Sequence, residues 1–91
     1  MRAGAATQIC SHRYDKRFFS FPASVPRQIE AKVDALGLRL ASFRHVRMQG
    51  IEAFRLRTGD YRVIYSFDVE RNELFLFAVG HRKDVYDDID N

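Results

Sequence analysis

From residue 54 onward the chain alternates. Phe54 and Leu56, then Tyr61, Val63, Tyr65 and Phe67, stand at every second position, with Arg55, Arg57 and Arg62 between them. Such alternation predicts half-buried strands. Thr58-Gly59 between the two runs predicts a tight hairpin loop with Arg57 opposite Asp60. In that register Leu56 faces Tyr61, Arg55 faces Arg62 and Phe54 faces Val63. Side chains alternate across a strand, so Phe54, Leu56, Tyr61, Val63, Tyr65 and Phe67 share a core face, and the three arginines share the other. A slip by one residue would bury the arginines, which selects this register. LFLFAV at 74–79 is apolar on both faces, as an interior strand requires. Strands are expected at 51–57, 60–68 and 74–80.

The earlier part of the chain has a helical period. Val25, Ile29, Val33, Leu36 and Leu40 recur at spacings of three and four, one apolar stripe on a helix with Ser24 as N-cap and Pro26 in its first turn. Arg27, Glu30 and Asp34 fall on its solvated face. Gly37 either ends this helix or weakens its last turn. Before it, Asp15 is placed to cap a short helix through Phe18 and Phe19 that stops ahead of Pro22. Residues 7–14 are read as a first strand and residues 1–6 as a fraying end. Residues 43–50 (FRHVRMQG) form a connector that brings Arg44, His45 and Arg47 to the sheet edge, and 84–88 close a final turn. The pattern gives an α+β fold: a small antiparallel-rich sheet packed on an N-terminal helical hairpin, one domain over 1–91. Phe54, Leu56, Val63, Phe75 and Phe77 are expected in its core against Ile29, Val33 and Leu36.

Composition sharpens this picture. Ninety-one residues with 46% hydrophobic content make a single small domain with a real core, not a disordered chain. The formal charge of +3 hides an asymmetry: residues 84–91 hold four acids and no base, leaving 15 bases against 8 acids before them. Twelve of those bases are arginine, whose planar fork suits phosphate. The one cysteine, Cys10, excludes an internal disulfide framework and is expected as a small buried hydrophobe. No run approaches the roughly 20 apolar residues of a membrane span, and no signal-peptide core opens the chain. A cytoplasmic location is expected.

Arg55, Arg57 and Arg62 on one sheet face are the clearest chemical feature. Their plain reading is a solvated strand face. Like charges across an antiparallel pair are destabilising, though, Asp60 relieves only part of that, and an anionic ligand would relieve the rest. His81-Arg82 follows the last strand and Tyr86 comes four residues after Arg82. Alone, such a histidine is a surface residue and such a tyrosine is packing. Beside the arginines, Arg can stabilise a developing phosphorane, His can move protons and Tyr can stack on a base. His12, His45 and His81 are scattered without carboxylates at ligand spacing, so no metal and no cofactor are expected. There is no glycine-rich phosphate loop and no nucleophile elbow. A hydrolase attacking through its own side chain is therefore disfavoured, whereas RNA carries its own nucleophile, the 2′-hydroxyl.

RLRTGDYRVIY, a short turn and then FLFAVGHRKDVY resemble the RelE/ParE toxin superfamily, most of all the RelE branch of messenger-RNA interferases from toxin–antitoxin pairs. The resemblance covers about residues 7–88. It implies a compact sheet backed by a helical hairpin and metal-independent cleavage of messenger RNA on the ribosome. It also implies a RelB-like antitoxin that wraps around the protein. Position by position, Arg55 resembles a basic residue that contacts the scissile region and Arg57 a further basic residue on that strand. Arg62 and Arg82 resemble arginines that stabilise the transition state. Tyr86 resembles a tyrosine that stacks on the nucleotide, and His81 a position that is basic in some relatives. Arg44, Arg47, Arg57 and Lys83 are expected to contact RNA. Ala53 stands where some active relatives place a lysine that helps activate the nucleophile, leaving the general base to His81 or Arg55. The competing expectations are a ParE-like inhibitor of DNA gyrase and an inactive basic module bound by its antitoxin.

Overall fold

The computed structural model describes residues 4–86. Strand β1 (Thr7–Cys10) leads into helices α1 (His12–Phe18) and α2 (Ser24–Leu38). A two-residue edge strand β2 (Val46–Arg47) then precedes the meander β3 (Phe54–Thr58), β4 (Tyr61–Asp68) and β5 (Glu73–His81). The sheet order is β1-β5-β4-β3-β2, with β1 parallel to β5 and the other pairings antiparallel. β5 is thus interior, as its two apolar faces predict. Both helices cover one face of the sheet, and Tyr14, Phe18, Ile29, Val33 and Leu36 meet Leu56, Val63, Tyr65, Leu74, Leu76 and Val79 in the main core. This is the α+β layer pair expected from the sequence.

The helix starts differ from the sequence reading. Ser11, not Asp15, caps α1: its backbone is extended and its Oγ accepts a 3.0 Å hydrogen bond from the Tyr14 amide. The first strand therefore ends at Cys10, and Asp15 falls in the first turn. Ser24 is the first residue of α2 rather than its cap, which is Ala23 with no side-chain bond. The Val25 amide is instead satisfied by the Pro22 carbonyl at 2.9 Å. Gly37 does not end the helix. It is buried, and its carbonyl accepts from the Ala6 amide at 3.0 Å, which also anchors Ala6 within the segment expected to fray. Cys10 is exposed, since β1 is an edge strand whose four residues all face solvent.

The β3–β4 hairpin keeps the expected faces with a different register. Its loop is Gly59-Asp60, and Thr58 pairs with Tyr61, Arg57 with Arg62, Leu56 with Val63, Arg55 with Ile64 and Phe54 with Tyr65. Gly59 has φ +62°, placing glycine first in the loop, where II′-type hairpin turns need it. Thr58 stays in the strand, buried. Each residue's partner moves by two places, and because the side-chain period is two the faces do not change.

A bulge in β5 has larger consequences. Ile64 pairs with Ala78 while Tyr65 pairs with Leu76, so Phe77 is an extra residue. Leu74, Leu76 and Val79 consequently face the helices. Phe77 is 44% exposed and Phe75 half-buried, so neither joins the core against α2 as the sequence pattern suggested. Phe54 is half-buried at the core's margin. The carbonyl of Phe77 accepts from Ser11 Oγ at 2.7 Å, so one serine caps α1 and holds the bulge.

His45, expected to carry charge at the sheet edge, belongs to the core side instead. Its ring stacks on Phe67 with centroids 3.8 Å apart. Nε2 lies 2.9 Å from the Leu40 carbonyl and Nδ1 2.6 Å from the Tyr65 hydroxyl. A carbonyl only accepts, so Nε2 carries the proton; in the neutral ring, Tyr65 donates to Nδ1. Burial pushes the Tyr65 hydroxyl up to about 12.

The bulge assigns sequence neighbours to opposite fates, which unfolding experiments can read. Leu76→Ala should cost about 2–5 kcal/mol in urea unfolding, as a buried leucine does. Phe77→Ala should stay within about 0.5 kcal/mol, as an exposed side chain does. Equal losses would refute the assignment.

Candidate functional site

The face of the sheet turned away from the helices carries the arginines. Arg55 and Arg57 project from β3 and Arg62 from β4, with Arg57 directly opposite Arg62. Two like charges on opposed positions repel, and the Gly59-Asp60 turn draws one of them aside. Arg62 Nη1 donates to the carbonyls of Gly59 and Tyr61, each at 2.9 Å.

After β5 the chain folds back over this face. The Arg82 amide donates to the Asp60 carbonyl at 2.7 Å, and the amides of Asp84 and Val85 both reach the His81 carbonyl, at 2.8 and 3.0 Å. Arg82 Nε lies 3.7 Å from Asp60 Oδ1, with both side chains more than half exposed. Such a pair contributes about 1 kcal/mol at most; its effect is to aim Arg82. Val85 is fully buried in a second, smaller core with Ala53, Ile64 and Ala78, against which Met48 and Tyr86 pack. A cleft of about 430 Å³ results, lined by Arg55, Arg57, Arg62, Arg82, Lys83 and Tyr86. Five cationic side chains and one aromatic ring face it, and among the described residues no carboxylate lines it.

Six of the expected site residues therefore meet, and three do not. His81 pairs with Tyr61 across β4–β5, which sets it on the helix side of the sheet. Its ring lies edge-on to Tyr61, and its Nδ1 accepts from the Lys83 amide at 3.2 Å. The bulge fixes this side. Arg47 pairs with Phe54 and lies over that ring at 5.8 Å, again on the other face. Arg44 lies in the loop before β2, outside the cleft. Ala53, the position resembling a lysine site, is buried beneath Val85. The sequence reading missed the part Val85 plays. Its one signal is a lone apolar residue within HRKDVYDD. It also missed the basic stripe His12, Arg13, Lys16 and Arg17 on α1, beside a wider concavity of about 680 Å³. There the signal is the i, i+1, i+4, i+5 spacing. Among the described residues no cluster of three or more His, Cys, Asp or Glu side chains is arranged to hold a metal ion. The acidic end from residue 87 lies outside the described residues.

The family profile described as "ParE toxin of type II toxin-antitoxin system, parDE" matches residues 12–86. The chain belongs to this ParE toxin family, within the RelE/ParE superfamily. Solved structures of toxins share its fold. The RelBE2 toxin–antitoxin complex of Mycobacterium tuberculosis matches at TM-score 0.71 and 20% identity, over 91% of this chain and 98% of that one. The archaeal RelE–RelB complex from Pyrococcus horikoshii OT3 matches at TM-score 0.70 and 21% identity, over 89% and 99%. The isolated E. coli RelE toxin matches at TM-score 0.67 and 21% identity, over 85% and 84%. No curated protein matches by sequence. The protein is thus a type II toxin with a RelE fold, and none of its described helices is long and apolar enough to cross a membrane.

The opposition of Arg57 and Arg62 has a measurable cost. Arg57→Gln should raise the toxin's unfolding free energy by about 0.2–1 kcal/mol at low ionic strength. The gain should shrink toward zero near 1 M salt, where the screening length is about 3 Å. A salt-independent change would mean that repulsion is not its cause.

Proposed function

We propose that this toxin is a metal-independent endoribonuclease that cleaves messenger RNA on the ribosome and is neutralised by a RelB-like antitoxin. The observation that carries the reading is the cleft itself, five cations and a tyrosine around one space, with no carboxylate among the described residues that line it. Arg55, Arg57 and Lys83 grip the phosphates on either side of the scissile bond. Arg62 and Arg82 stand where negative charge builds on the pentacoordinate phosphorus, a task the guanidinium fork suits. Tyr86 stacks on a base, which leaves the sequence-tolerant part of recognition to its ring. The 2′-hydroxyl of the RNA attacks the adjacent phosphorus and the 5′-oxygen leaves.

His81, on the opposite face, does not serve as general base, and Ala53 supplies no amine. The cleft acts through charge and stacking, so the alignment of the attacking oxygen has to come from elsewhere. That fits an enzyme whose substrate is presented by the ribosome. The RelE fold of the solved toxins supports this reading. The ParE family profile favours a second one, inhibition of DNA gyrase by a binding surface with no chemistry of its own.

A translating system with messenger RNA read by primer extension, run beside a gyrase supercoiling assay, separates the two. The ribonuclease reading expects codon-scale cuts and undisturbed supercoiling; the reverse pattern would establish the gyrase reading. Product ends should be 2′,3′-cyclic or 3′-phosphate, and cleavage should survive EDTA once the ribosome's own magnesium requirement is controlled. A 3′-hydroxyl end would mean that water attacked. Arg62→Lys, which keeps the charge and loses the fork, should lower the cleavage rate by roughly 100- to 1,000-fold, the range for loss of one transition-state donor.

A further inference from the structure

We propose that Val85 is the positioning residue of the cleft: seated in a notch made by Gly80, Ala53 and Ala78, it fixes Tyr86 and the returning segment over the arginines. This rests on the ribonuclease reading for its consequence and on packing for its geometry.

The notch is built from absences of side chain. Gly80 pairs with Arg62 on the open face of the sheet. A Cβ added at Gly80 would come within 3.3 Å of Val85 Cβ and 3.5 Å of its Cα. The first of these is tighter than an ordinary van der Waals contact, so with alanine here Val85 would have to give by a few tenths of an ångström. Ala53 and Ala78, at 3% and 2% exposure, are the walls, and Ile64, at 0%, is the floor. Val85 itself is 0% exposed, although Arg82, Lys83 and Asp84 just before it are all exposed. A buried β-branched residue has few rotamers, which makes it a stiff anchor for the residue beside it. Tyr86 follows directly and packs on the same cluster, so its ring goes where Val85 allows.

Ala53 belongs to the same packing, buried in one cluster with Ile64, Ala78 and Val85. The main core lies on the other face of the sheet, away from the notch.

The test compares Val85→Asp, Val85→Ile, Gly80→Ala, Tyr86→Ala and Val85→Asp/Tyr86→Ala in the full chain. It reads single-turnover messenger-RNA cleavage on ribosomes and, separately, binding of a short single-stranded RNA oligonucleotide across a salt series. Tyr86→Ala should slow cleavage roughly 5- to 150-fold, the worth of one stacked base. Val85→Asp should slow it at least as much, since Arg82 and Lys83 leave with the segment, and the double variant should be no slower than the worse single within about twofold. Val85→Ile should remain near the parent and Gly80→Ala should fall between. The salt slope should stay unchanged in Tyr86→Ala, where the phosphate contacts remain, and fall in Val85→Asp, where Lys83 leaves the cleft with the segment. A Val85→Asp variant as fast as the parent, or a double variant slowed by the product of the single effects, would overturn the proposal. If the parent cleaves nothing, the ribonuclease reading fails and amide exchange decides the geometry. Faster exchange at Arg82 and Val85 in Val85→Asp, with β3 and β4 unchanged, sustains the anchor; unchanged exchange at both refutes it.

Discussion

The β3–β4 hairpin has to serve two faces at once, and its period of two couples them. Leu56, Val63 and Tyr65 go under the helices only if Arg55, Arg57 and Arg62 go the other way. No pairing shift by an odd number of residues is tolerable, because it would bury guanidinium groups and expose the core. The observed loop at Gly59-Asp60 satisfies this as well as a loop at Thr58-Gly59 would, and the positive φ of Gly59 chooses between them. The core and the cleft are therefore two readings of one alternation.

The bulge at Phe77 adjusts that alternation where β5 meets the site. With the extra residue absorbed there, Val79 returns to the main core while Ala78 and Gly80 come to the open face. Those small residues are what the returning chain needs in order to lie flat and bring Arg82, Lys83 and Tyr86 to the cleft. His81 is carried to the far side by the same count. Ser11, which caps α1 and donates to the Phe77 carbonyl, ties this arrangement to the start of the helical layer.

Gathering five cations around one cleft sets function against stability. The fold moderates the repulsion locally, by turning Arg62 toward the Gly59 and Tyr61 carbonyls and by placing Asp60 beside Arg82. Neither device neutralises the cleft. Carbonyl acceptors orient a guanidinium but leave its charge, and the exposed pair with Asp60 is screened. What remains is a standing attraction for an anion such as a phosphate chain.

Much of this was legible in the chain alone. Alternation from Phe54 to Phe67 and the spacing of Ile29, Val33 and Leu36 are local periodicities, and they determined the layers, the interior strand and the shared face of Arg55, Arg57 and Arg62. Arg82, Lys83 and Tyr86 were legible as candidates through resemblance, though not as neighbours of that face. The sides taken by His81, Phe75 and Phe77, the stacking of His45 on Phe67 and the seating of Val85 were decided only by tertiary structure. Each depends on contacts between residues distant in the sequence: Ser11 with Phe77, His45 with Tyr65, Ala53 with Val85. A strand's period is written in its own residues. A bulge, a stacked histidine or a docked valine is stable only because of what another segment brings to it, and that leaves no periodic mark in the chain.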